Sequence, residues 1–136
     1  MKILLNKTSL TKSLGHFDDI GFVPTMGSIH KGHLSLINRS NQVCNKTIVS
    51  IFVNPKQFNN KKDFKTYPKN MKKDLRLLIK TKQVDFIYIP KFRDIFNNNK
   101  KSKIKINKKD KILCAKFRKG HFEGVLDVMD RLTNCL

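Results

Sequence analysis

The sequence predicts an α/β fold, a parallel sheet with helices on both faces. Three observations predict it. Residues 47–53, TIVSIFV, form a continuous β-branched run, which suits a strand covered on both sides. Residues 84–90, VDFIYIP, repeat that character. Around these runs apolar residues recur at helical spacing, so strand and helix alternate along the chain. Strands joined by helices in this way run parallel, and ligands bind beyond their carboxyl ends.

Taken in order, residues 1–17 carry scattered apolar positions that predict a short strand and a helix. Residues 21–24 form a short apolar strand. A helix follows over about residues 32–44, with Leu34, Ile37 and Cys44 to one side. After the 47–53 strand comes a helix over about 68–82, with Met71, Leu75, Leu78 and Ile79 at helical spacing. Pro68 suits its first turn, where a missing N–H costs little. The 84–90 strand is next. Residues 97–111, NNNKKSKIKINKKDK, are low in complexity, yet lysine alternates with isoleucine over 103–106. That alternation predicts a short half-exposed edge strand beside a lysine-rich loop. The last helix, from about Phe122, is expected to bury Phe122, Val125, Leu126, Met129 and Leu132 as one core stripe.

The chain has 136 residues, enough for one compact domain. Its net charge of +19 comes from 29 Lys and Arg against 10 Asp and Glu. Such a charge attracts nucleic acid, anionic membranes or small acidic ligands. The lysines are spread along the chain, and no aromatics are interleaved with them at regular spacing. A dedicated nucleic-acid site is therefore disfavoured. Abundant Asn and Ile fit an A+T-rich coding sequence. Cys44, Cys114 and Cys135 are odd in number and far apart, with no C-x-x-C pair. They argue against a zinc site and for free thiols in a reducing compartment. No apolar run reaches signal-peptide or bilayer-spanning length, so a soluble, cytoplasmic protein is expected.

Residues 24–33, PTMGSIHKGH, join the first core strand to the first long helix. A strand-to-helix joint with two glycines suits a phosphate. Glycine lets the backbone come close, and the helix start offers N–H groups and a positive dipole end. His30 and His33 are three apart and share one helix face, adding donors or positive charge there. Alone, such a pair is evenly balanced between a phosphate-site reading and the blander ones, surface histidines or half of a metal site. The pattern H-x-G-H after a strand resembles the signature of nucleotidyl-transferring enzymes that act at the α-phosphate of ATP. The longer string VPTMGSIHKGHLSLI is more specific, and three others follow it in order: SIFVNPKQF at 50–58, DFKTYPK at 63–69 and GHFEGV at 120–125. Together they resemble the pantothenate synthetase (pantoate–β-alanine ligase) family, from about Gly21 to the end of the chain.

The resemblance implies a Rossmann-like nucleotide-binding domain and an ATP-dependent, AMP-forming ligase. Its substrates would be ATP, with Mg2+, (R)-pantoate and β-alanine, joined through a pantoyl adenylate. Family members run to about twice this length and are commonly homodimers. Residues 1–136 are thus expected to be an incomplete N-terminal domain, with the C-terminal domain absent. The resemblance assigns Met26, Gly27, Ser28, Ile29, His30, Lys31, Gly32 and His33 to an ATP cradle, with His33 and His30 catalytic. Gln57, Asn54, His121 and Arg118 would meet pantoate or β-alanine, and no residue is assigned to a metal. Asp63, Tyr67 and Pro68 shape loops, and His16 is solvated. Departures fall near the last motif, where Lys119 replaces the usual proline and Cys114-Ala115 the usual Glu-Gly. Three rival readings stand beside this one. They are a non-catalytic fragment of the same lineage, a small basic nucleic-acid-binding protein and another H-x-G-H nucleotidyltransferase.

Overall fold

The computed structural model of the protein describes residues 1–96 and 120–136. The expected 103–106 strand, Cys114, Arg118 and Lys119 lie outside the described residues. Four strands form one parallel sheet: β1 (Lys2–Leu4), β2 (Ile20–Thr25), β3 (Lys46–Ile51) and β4 (Phe86–Tyr88), in the order β1-β4-β3-β2. The helices are α1 (Lys7–Leu14), α2 (Lys31–Val43), α3 (Lys61–Thr66), α4 (Met71–Thr81), α5 (Phe92–Phe96) and α6 (His121–Thr133).

Helices cover both faces, as expected. One core joins Ile48, Phe86 and Tyr88 of the sheet to Leu10 and Leu14 of α1, Ile95 of α5, and Val128 and Leu132 of α6. The other joins Val23, Val49, Ile51 and Ile87 to Ile37 of α2 and Leu78 of α4. Successive β3 side chains feed opposite cores, so the strand reads as one unbroken apolar run. Ile37, Ile48, Leu78 and Ile87 are completely buried, each adding about 1.5–3 kcal/mol of hydrophobic stabilisation. Asparagine starts three helices. Asn6, Asn60 and Asn70 accept from the amides of Ser9, Asp63 and Lys73 at 2.8, 2.7 and 3.1 Å.

Three details correct the sequence reading. Pro68 lies outside α4, because Asn70 supplies a side-chain cap that proline cannot. Within α4, Asp74 and Leu78 are buried while Met71 and Ile79 are exposed. In α6 the buried positions are Gly124, Val128 and Leu132. Phe122 is exposed, and Val125 and Met129 line a cleft instead of the core.

Candidate active site

The loops that follow β2 and β3 meet the start of α6 beyond the carboxyl ends of the strands. Thr25 ends β2, donating through Oγ1 to the Ser50 carbonyl at 2.8 Å and accepting from the Gly27 amide at 3.1 Å. The chain then turns through two left-handed residues, Gly27 (φ 81) and Ser28 (φ 53). This turn wraps one buried carboxylate. Asp74, only 4% exposed, accepts from the Ser28 amide at Oδ2 and from the Ile29 amide at Oδ1, both at 2.9 Å. A Cβ on Gly27 would come within 2.9 Å of Asp74 Oδ2, so only glycine lets the carboxylate this close. Ser28 Oγ donates to the Pro68 carbonyl at 3.0 Å, tying the same turn to the segment before α4.

The amides of Ser28 and Ile29 face Asp74, so a protein carboxylate already engages these two donors of the expected cradle. Two further donors are taken by the histidines. Nδ1 of His30 accepts from the Gly32 amide at 3.1 Å, and Nδ1 of His33 accepts from the His30 amide at 3.4 Å. Each histidine thus caps the helix start where Ser or Asp would be usual. Gly32 gives the ring room, since a Cβ there would lie 3.0 Å from His30 Cε1 and press on the capping ring. The His33 amide also points to the His30 side chain, completing a reciprocal capping box, so in the first turn of α2 the Lys31 amide remains without a hydrogen bond among the described residues.

The caps fix the chemistry of both rings. A nitrogen that accepts an N–H bears no proton, so each neutral ring carries its proton on Nε2. The two rings lie 4.0 Å apart, centre to centre. Burial, and secondarily the neighbouring His30, hold the His33 pKa below the ordinary histidine value, partly offset by Asp74. His33 is therefore a neutral donor near pH 7.

On the other wall the pattern reverses. Gln57 ends a short 3-10 turn (Pro55–Gln57) after β3 and is 6% exposed. Its backbone carbonyl lies 2.7 Å from Nδ1 of His121, and its Nε2 lies 2.6 Å from Met26 Sδ. A carbonyl only accepts, so the neutral His121 ring carries its proton on Nδ1 and presents a bare Nε2. Asn54 is wholly buried, accepting from the Lys56 amide and donating to the Gly124 carbonyl, both at 3.1 Å. Each end of its amide thus makes one bond within the protein, and Asn54 positions Gln57 and α6. Gly124 lets the helix seat there, because a Cβ would fall 2.9 Å from Gln57 Cα and the Lys56 carbonyl.

Two clefts open between these walls. One, of about 320 Å³, is lined by Thr25, Met26, His30, His33, Gln57 and the apolar face of α6. The other, of about 630 Å³, is lined by His121, Asp63 and the loop from Phe58 to Asn60. Met26, Gln57 and Tyr67 line both. Tyr67 stacks edge-on to Phe58 at 5.4 Å, and burial, then Asp74, raises its pKa. Arg118 lies outside the described residues, and His16 is exposed. Asp74 and Gly124 escaped the sequence reading. An acid on the apolar stripe of α4, four residues before Leu78, was the signal for the first.

A parallel sheet whose polar loops gather beyond its strand ends defines the Rossmann-like class of α/β proteins. The family model for pantoate–β-alanine ligase matches residues 3–136, and the chain belongs to that family. It is 43% identical to a pantothenate synthetase of Endomicrobium trichonymphae, over 98% of this chain and 48% of that protein. It is 44% identical to that of Pseudothermotoga lettingae, over 85% of this chain and 41% of that protein. The pantoate–β-alanine ligase of Francisella tularensis, solved in complex with beta-gamma ATP and beta-alanine, superposes with a TM-score of 0.91 at 37% identity. That match covers 99% of this chain and 53% of the other. The Thermus thermophilus enzyme gives 0.88 at 31% identity, over 99% and 49%. The chain spans about half the length of the curated relatives it matches. Among the described residues no helix is long and apolar enough to cross a membrane.

Proposed function

We propose that this chain forms the N-terminal, ATP- and pantoate-binding part of a pantothenate synthetase. The carboxylate of (R)-pantoate attacks the α-phosphate of ATP, giving pantoyl adenylate and pyrophosphate. The amine of β-alanine then displaces AMP to give pantothenate. Both steps need alignment and charge stabilisation more than a protein nucleophile. The observation that carries the reading is the pair of Nε2–H donors on His30 and His33, set across one cleft from the Gln57 amide. The histidines donate to phosphoryl oxygens as negative charge builds there, His33 doing so while neutral. Gln57 offers both a donor and an acceptor to pantoate, and Met26, Val125 and Met129 pack its apolar body. The free amide of Lys31 adds the helix-start contribution to the phosphates. Mg2+, which the family resemblance implies, finds no cluster of three acidic, His or Cys side chains among the described residues. No step here runs through it. Homodimeric assembly belongs to the same proposal.

Calorimetric titration of (R)-pantoate and ATP, each on its own, tests this. Gln57→Ala should weaken pantoate far more than ATP, by the roughly 1–3 kcal/mol that follows from leaving its polar groups unpaired. Absence of pantoate binding by the unmodified chain, or an equal loss for both ligands, removes the reading.

A further inference from the structure

Three histidines border the two clefts, and they are not alike. His30 and His33 turn Nδ1 to backbone amides and present Nε2–H. His121 turns Nδ1 to the Gln57 carbonyl at 2.7 Å and presents Nε2 as an acceptor. Donors suit phosphate oxygens. A bare imidazole nitrogen repels them and suits an ammonium. We infer that His121 Nε2 binds the amine of β-alanine and takes its proton, an assignment that rests on the pantothenate reading above.

The geometry favours this role in two ways. His121 opens α6 and lines the larger cleft beside Gln57 and Met26, the residues shared with the smaller cleft. An amine held there is next to the position assigned to the pantoyl group. The Gln57 carbonyl also stabilises the imidazolium once it forms, since its bond to Nδ1–H then becomes charge-assisted. Asp63 and Tyr67 are the other titratable groups on this cleft; one Asp63 oxygen is engaged by Asn60 Nδ2 at 3.0 Å, and burial, then Asp74, raises the Tyr67 pKa, so its hydroxyl keeps its proton.

The step balances. β-Alanine arrives as an ammonium, and one proton passes to His121 Nε2, freeing the nitrogen pair. That pair forms the C–N bond to the acyl carbon. The acyl carbon–oxygen bond to the adenylate breaks, and its electrons leave with AMP. The second surplus proton on nitrogen passes to water, and the imidazolium returns its own to solvent.

Nitrogen-15 NMR of the histidine-labelled chain tests the assignment, with β-alanine and ATP added separately. His121 should show a protonated Nδ1 and a bare Nε2, the reverse of His30 and His33, and β-alanine should shift that Nε2 signal. His121→Asn keeps a donor for the Gln57 carbonyl and deletes the acceptor. It should weaken β-alanine by about tenfold or more while the ATP response of His30 and His33 persists. Asp63→Asn should leave β-alanine binding within about twofold. A proton on His121 Nε2, or a signal unmoved by β-alanine, overturns the assignment. So does loss of β-alanine through Asp63→Asn. A normal ATP response at His30 and His33 beside such a failure would leave the broader reading standing, whereas silence at all three histidines would end both.

Discussion

The two walls of the site are built on different principles. The wall after β2 is assembled mostly from near neighbours. His30 and His33 cap their own helix, Thr25 holds Gly27, and one distant side chain, Asp74, anchors the turn. The wall around Gln57 depends on partners far along the chain. Asn54 reaches Gly124 seventy residues away, and His121 reaches Gln57 across sixty-four. Local caps cost little loop-closure entropy, whereas the second wall exists only after α6 has docked. The donor wall should therefore tolerate loss of α6, and the acceptor wall should not.

The largest blow to the first wall is Asp74→Ala. It strands two amides that now share a buried carboxylate, and hydrogen bonds to charged groups are each worth about 1.5–3 kcal/mol. A loss of about 3 kcal/mol in urea unfolding is expected, and a loss below about 1 kcal/mol would mean water replaces the carboxylate easily. Gly124→Ala comes next and strikes the second wall. Its Cβ would press on backbone atoms that cannot swing aside, and overpacking of this kind costs about 1–3 kcal/mol. The His121–Gln57 contact should be disturbed while the His30 and His33 tautomers stay as they are. NMR that showed both walls shifting together would erase the distinction.

The smallest effect is a pH dependence confined to the donor wall. The folded-state pKa of His33 lies below its unfolded value, so between the two the unfolded chain binds more protons. The stability it contributes is complete above about pH 6.5 and declines as pH falls toward the folded value. Protonated Nδ1 can no longer accept from the His30 amide, which is the same fact seen structurally. His33→Asn keeps a capping oxygen without titrating, so its urea midpoint should fall less than the native one between pH 7.5 and 5.5, the interval that brackets the ordinary histidine pKa. Parallel falls would remove His33 as the cause.

What was legible in the sequence follows the same division. β3 and β4 announced themselves because strands covered on both faces are unbroken apolar runs. The motif loop was legible because its glycines and histidines act on their immediate neighbours. The start of α4 was misplaced because Pro68 tolerates a first turn, but Asn70 actively stabilises one. The stripe of α6 was misread because Val125 and Met129 are apolar whether they face a core or a cleft. The bond from Asn54 to Gly124 is not legible in the sequence, because an asparagine before proline gives no sign of a helix lying seventy residues on.

The carboxylate of Asp74 has one more consequence. A loop that must close around its ligand gives up conformational freedom on binding, about 1–2 kcal/mol for each residue fixed. Here Ser28 and Ile29 surrender theirs when the chain folds, because a side chain 46 and 45 residues away already occupies their amides. The ligand meets a rigid rim, and its arrival leaves no mark on those two positions. Their amide hydrogens would exchange with solvent at the tempo set by local opening of the α4 contact, equally slow in the empty and the filled site.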